Sequence, residues 1–111
     1  MSGKKYAVAY TPEASEDLDD IYSYIAFSLR ERKTAERISK EIRKEIRGLN
    51  VFPESCMVVE FEPWYELRIR RMPVGNYNVY YHVDTEQRII TVVRIFYGGR
   101  DVENIINDAN T

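Results

Sequence analysis

Between positions 64 and 111 every basic side chain is an arginine: Arg68, Arg70, Arg71, Arg88, Arg94 and Arg100. The first 63 residues mix lysine with arginine, ten basic against twelve acidic side chains. A guanidinium is a planar fork of donors that grips phosphate or carboxylate bidentately, which an ammonium cannot do. Asn78, Tyr80, His82 and Tyr97 are interleaved with these arginines. Arginine and tyrosine on one rigid surface suit a polyanion or an acidic peptide, through charge-assisted hydrogen bonds and ring contacts. The same cations would stabilise the charge that develops on a phosphate during RNA cleavage, with tyrosine or histidine moving the proton. The plainer alternative is a charged strand face paired with Glu66 and Glu86.

Other chemistries find no support. Neither G-x-x-x-x-G-K-[ST] nor G-x-G-x-x-G occurs, so no phosphate loop is expected. One histidine and one cysteine do not make a zinc site. A histidine-based triad would depend wholly on His82, and there is no G-x-S-x-G elbow. Asp19 and Asp20 read as acids that complement a helix dipole rather than as a catalytic couple. No metal and no cofactor is expected.

The elements that must position the arginines follow from periodicity. Tyr6, Val8 and Tyr10 alternate as in a first strand. Thr11-Pro12 is a helix start signal, and Ala14, Leu18, Ile21, Ile25 and Leu29 follow at helical spacing. Acids at the start of this helix (Glu13, Glu16, Asp17) and bases at its end (Arg30, Arg32, Lys33) match its dipole. Thr34 is the expected cap of a second helix with Ala35, Ile38, Ile42 and Ile46 on its buried stripe and Gly48 as its stop. Its outer face carries Arg37, Lys40, Arg43, Lys44 and Arg47, and three interleaved glutamates favour a solvated face over a nucleic-acid surface.

Phe52-Pro53 opens an irregular stretch in which Met57 to Glu60 suits a short strand. A strand is expected from Tyr65, with Leu67 and Ile69 on one side and Glu66, Arg68 and Arg70 on the other. Pro73-Val74-Gly75-Asn76 is a turn. Tyr77, Val79, Tyr81 and Val83 then share one strand face, with Asn78, Tyr80 and His82 opposite. Ile89 to Tyr97 is apolar on both faces apart from Thr91 and Arg94, the mark of a central strand. Helical turns are expected over Asp101 to Asn107. The sum is a two-layer α+β fold, β-α-α-β-β-β(-β), with a helical hairpin on one face of a mainly antiparallel sheet. The arginine-bearing face is the one turned away from the helices: Arg68 and Arg70, then Asn78, Tyr80 and His82, then Arg94, with Arg100 just past the last strand.

At 111 residues the chain suits a single domain over residues 1–111. A net charge of −2 and a pI near 5.5 are unlike proteins that grip nucleic acid through many phosphates. The lone cysteine, Cys56, suits a reducing compartment. Met1 to Lys5 lacks a signal-peptide stretch, and no run approaches the ~18 apolar residues of a membrane span. A cytoplasmic protein is expected.

Two segments carry a resemblance: Arg68-Ile69-Arg70-Arg71-Met72-Pro73-Val74-Gly75-Asn76-Tyr77-Asn78-Val79-Tyr80-Tyr81, and Arg94-Ile95-Phe96-Tyr97-Gly98-Gly99-Arg100-Asp101. With Glu-Asp-Leu-Asp-Asp-Ile in the first helix and Leu49-x-x-Phe52-Pro53 after the second, the chain resembles the RelE/ParE superfamily over roughly residues 6 to 106, nearest its ParE-like branch. The resemblance implies a toxin of a bacterial type II toxin–antitoxin pair. It implies a cognate antitoxin that wraps the toxin, as a heterotetramer or beside a toxin homodimer, and no membrane. Two target classes belong to the superfamily: ParE-like toxins poison DNA gyrase without evident catalysis, and RelE-like toxins cut mRNA on the ribosome. A third reading is a family member that binds protein without toxicity. If the chain is a nuclease, the candidate catalytic residues are Arg68, Arg100, Tyr97 and His82. The candidate target- or antitoxin-binding residues are Arg68, Arg70, Arg71, Tyr80, Arg94 and Arg100. The chain departs from the nuclease pattern at Asn78, where a catalytic arginine is usual, and at Ile106, near where a tyrosine is expected. Those departures favour the gyrase reading.

Overall fold

The computed structural model describes residues 5–109. Strand β1 spans Ala7–Tyr10 and leads directly into helix α1, Pro12–Ser23. Thr11 caps α1 as its sequence indicates: its Oγ1 accepts from Ala14 N at 3.0 Å and donates to Val93 O at 3.0 Å. The cap therefore also ties the helix start to a strand over eighty residues away. The helix does not stop at Ser23 but widens into a π-helical turn over Tyr24–Ser28, closed by Leu29 N donating to Tyr24 O. Arg30 then adopts a left-handed φ of 56°, which ends the helix and turns the chain.

Helix α2 covers Arg32–Gly48. Thr34 is not its cap; it lies inside the first turn and its hydroxyl donates to Glu31 Oε1 at 3.1 Å. The turn preceding the helix fixes its start two residues before that hydroxyl. Strands β2 (Arg70–Val74), β3 (Tyr77–Asp84) and β4 (Ile89–Tyr97) follow, and helix α3 runs from Val102 to Ala109. The sheet order is β1-β4-β3-β2, with β1 parallel to β4 and the other pairs antiparallel. The long apolar strand β4 is internal, as its two apolar faces indicate. Gly75, at φ 57°, makes the tight β2–β3 turn.

The expected strand from Tyr65 is not formed. Residues 62–68 are turns, Arg68 has a φ of 59°, and pairing begins at Arg70. The 57–60 segment contributes a single bridge, Val58 to Arg70. Alternation there reflects a turn that buries Ile69 while Leu67 stays 55% exposed.

The helical hairpin packs on one sheet face, as expected. Ala14, Leu18, Ile42, Ile46 and Leu49 meet Met72, Val74, Val79, Tyr81, Ile90, Val92 and Ile95. Each large aliphatic side chain so buried contributes about 1.5–3 kcal/mol. A bulge at Tyr80/Tyr81 inserts one extra residue on β4: Tyr80 faces Arg94 and Tyr81 faces Val92. Inward positions therefore run Ile90, Val92, Ile95, and Arg94 is turned out of the core. Tyr81 is wholly buried in that core, where its hydroxyl donates to Pro53 O at 2.8 Å, and burial raises its pKa. The opposite face is not open. A second cluster of Val59, Trp64, Ile69, Tyr80, Phe96, Val102 and Ile106 roofs much of it with the 59–69 loop and α3.

Candidate interaction site

The parallel pairing of β1 reaches only Val92, so the edge of β4 beyond it meets α1 instead. Asp17, on α1, fills the gap. Its Oδ2 accepts from Arg94 Nε at 2.7 Å and from the backbone N of Ile95 at 2.9 Å, and its Oδ1 accepts from Arg94 Nη2 at 3.0 Å. One carboxylate thus pairs a guanidinium bidentately and satisfies an edge-strand N–H. The hydrogen bond to Asp17 raises the Arg94 pKa against its desolvation. The Arg94 guanidinium also lies 4.4 Å from the Phe96 ring centroid, with Arg100 at 5.4 Å from the same ring.

Phe96 ends a line of rings across the far face. Phe61 stacks on Trp64 at 5.8 Å, Trp64 lies 4.9 Å from Tyr80, and Tyr80 lies 6.1 Å from Phe96. Tyr80 is only 3% exposed, and burial raises its pKa against the opposing influence of Arg71 and a hydrogen bond with Asn78. It borders a shallow groove of about 310 Å³ shared with Met57, Glu60, Phe61 and Arg71.

Of the arginines expected on one face, Arg94 and Arg100 lie beside Tyr80 and Phe96, whereas Arg70 is turned to the other side. Arg70 pairs with Tyr81 in the sheet register, which turns it to the hairpin side. There its Nη1 donates to Cys56 O at 2.6 Å and Glu54 O at 3.2 Å, and its Nη2 lies 3.5 Å from Glu54 Oε2. Arg71, its neighbour, takes the far-face position opposite Tyr80. Arg68 is exposed on the turn before β2. Arg94 is held by Asp17. Arg68, Arg71 and Arg100 have no carboxylate partner among the described residues. His82 is half-buried on β3 opposite Thr91.

Arg100 and Tyr97 line a groove of about 640 Å³ between the end of α1 and the end of β4, which Asp17 and Phe96 also border. Tyr24, Leu29, Tyr77 and Tyr97 give it apolar lining, and Asp17, Asp20 and Arg100 line it as well. Tyr24, Leu29 and Tyr97 are about half exposed or more, at 58%, 49% and 55%. Tyr77 meets Tyr97 edge-on at 5.8 Å, and burial raises its pKa, reinforced by Tyr97 and Tyr24. This groove and the role of Asp17 were not read from the sequence. The available signal for Asp17 was its place in the spacing Ala14, Asp17, Leu18, Ile21, beside the apolar stripe rather than opposite it.

Among the described residues no helix is long and apolar enough to cross a membrane. A family model described as "ParE toxin of type II toxin-antitoxin system, parDE" matches residues 8–102. Three solved structures share the architecture. One is the chromosomal ParDE toxin–antitoxin system of P. aeruginosa, 18% identical with a TM-score of 0.69, over 84% of this chain and 96% of that one. The RelBE2 toxin–antitoxin complex of Mycobacterium tuberculosis is 18% identical with a TM-score of 0.65, over 86% and 94%. A mutant of the E. coli toxin RelE in the free state is 12% identical with a TM-score of 0.63, over 96% of each chain. At these identities the likeness is one of fold. No curated protein matches the sequence significantly.

Proposed function

This chain belongs to the ParE toxin family of type II toxin–antitoxin systems, and from that premise we propose that it inhibits DNA gyrase by binding, with no chemistry of its own, until a cognate antitoxin neutralises it. The observation that carries the choice of target is the engagement of Arg94 and Arg70 by carboxylates and the burial of the tyrosine beside them. RNA cleavage needs a group to take the 2′-hydroxyl proton, another to protonate the leaving oxygen, and cations around one phosphate. Here Arg94 is committed to Asp17 and Arg70 to Glu54. Tyr80 is buried beneath Trp64, His82 lies on β3 opposite Thr91, and Tyr97 and Arg100 line a groove that Asp17 also borders. Asn78 cannot exchange a proton at neutral pH, and Ile106 is packed into the far-face cluster.

Arg68, Arg71 and Arg100 remain as cations for a protein partner, with the aromatic groove beside Arg100 as apolar contact surface. Aromatic anchors with arginine are the side chains that dominate protein interfaces. We assign the domain to residues 1–111 and place the toxin in the cytoplasm, where gyrase and an antitoxin would meet it. The test is induction in a bacterial host. Expression alone arrests growth and DNA synthesis while messages stay intact, and co-expression of the antitoxin encoded beside it restores growth. Normal growth with confirmed soluble protein removes the toxin role.

A further inference from the structure

The charge of this chain is sorted, not mixed. Helix α2 holds seven basic and three acidic residues, whereas the rest of the chain has nine basic and fifteen acidic. Lys33, Arg37, Lys40, Lys44 and Arg47 recur at intervals of four, three, four and three, so they fall within an arc of about 80° on the helix. All five are exposed, and that arc lies opposite Ala35, Ile42 and Ile46, which are buried in the core. Glu41 and Glu45 fall on one flank and Glu36 at the other edge, so the glutamates border the stripe and do not interrupt it. Among the described residues the ion pairs are Arg70 with Glu54 and Arg94 with Asp17, and none involves α2.

We propose that the solvent face of α2 docks on the phosphate backbone of duplex DNA. The inference goes beyond the toxin's target, and it holds whichever enzyme that target is. The stripe runs about 21 Å at 1.5 Å per residue. Laid along a duplex, it passes about six phosphates of one strand at 3.4 Å each. A protein partner is the weaker match, because interfaces between proteins depend on buried apolar anchors, and the stripe carries none. Counterion release from phosphates needs only cations. The B-form major groove, about 12 Å wide, also admits a helix, which the narrow major groove of duplex RNA does not.

The test is fluorescence anisotropy of a labelled 20-base-pair DNA titrated with the full chain at 25–200 mM salt. Neutralising four to five phosphates gives a log–log salt slope of about −4, a loss of roughly 200-fold between 50 and 200 mM. The double variant K40Q/K44Q lowers the magnitude of that slope by about 2. S15E/S23E, which changes net charge equally on exposed positions of α1, leaves the slope unchanged. Circular dichroism on both variants confirms that the fold is kept. Absence of binding at 25 mM salt overturns the proposal, and so does an equal effect of the two variants. Tighter binding to duplex RNA of the same length, or binding of a poly-glutamate peptide in place of DNA, also overturns it.

Discussion

Removing the Asp17 carboxylate should destabilise the protein far more than its place on an acidic helix surface would indicate. The side chain is 11% exposed and that of Arg94 is 27% exposed, so the pair is partly withdrawn from water. Three donors lose their acceptor in Asp17→Ala: Arg94 Nε, Arg94 Nη2 and the Ile95 backbone N–H. Hydrogen bonds to a charged group contribute about 1.5–3 kcal/mol, and stranding one partner of a fully buried pair costs about 3–5 kcal/mol. The remaining exposure of Arg94 allows water to compensate in part, which sets the expected cost at about 2–4 kcal/mol. At a urea dependence of ~2 kcal/mol per molar, the unfolding midpoint falls by about 1–2 M. Trp64 is the single tryptophan and sits in the far-face cluster, so its fluorescence follows the transition, with far-ultraviolet circular dichroism as second probe. A double-mutant cycle with Arg94→Met should return a coupling of about 1–3 kcal/mol. Asp17→Asn should fall between wild type and alanine, since its amide oxygen can still accept from Ile95. A loss below ~0.5 kcal/mol for Asp17→Ala, or additive single variants, would show that the pair behaves as an exposed one and holds nothing in place.

Two further predictions concern stability. Burial raises the pKa of Tyr10, Tyr77, Tyr80 and Tyr81 above the ordinary 10.0. A phenol whose folded pKa lies above its unfolded value contributes stability that is complete below pH ~10 and is lost as pH rises through the folded value. Stability should therefore decline above pH ~10, ultraviolet titration should show these tyrosines ionising late, and Tyr81→Phe should flatten the decline. A titration with all nine tyrosines ionising together near 10 and no loss of stability would contradict this. Gly75→Ala should cost about 1–2 kcal/mol, because an L side chain is strained at φ 57° although the nearest atom to its Cβ, Glu41 Oε1, is 3.9 Å away. Thermal unfolding measures it, and an unchanged midpoint would show that the turn relaxes freely.

The helical hairpin and the order of the strands were legible because apolar periodicity records which face is buried, and Thr11-Pro12 and Gly75 record local backbone demands. The site was less legible, for reasons specific to its residues. Arg70 and Arg71 are adjacent, and pairing register alone decides that the first faces the hairpin side and the second the far face. Alternation from Tyr65 implied a strand, but the left-handed Arg68 breaks it, so the phase carried forward to Arg70 was wrong. Arg94 takes the expected face, opposite Tyr80, but through a bulge on β4 that leaves no mark in composition. Asp17 stands with Glu13 and Glu16 at a helix start, where a run of acids satisfies the dipole without further explanation. The covering of Tyr80 depends on Trp64 and Ile106, distant in sequence and visible only once the chain is folded.

Gyrase poisoning without RNA cleavage, as proposed above, is tested most directly by incubating purified protein with DNA gyrase and supercoiled plasmid. The expected result is accumulation of gyrase-cleaved plasmid that depends on the toxin and disappears when antitoxin is added. Plasmid left intact, together with codon-specific breaks in translated messages that Arg100→Ala abolishes, would rule out gyrase as the target and make the protein a ribosome-dependent nuclease.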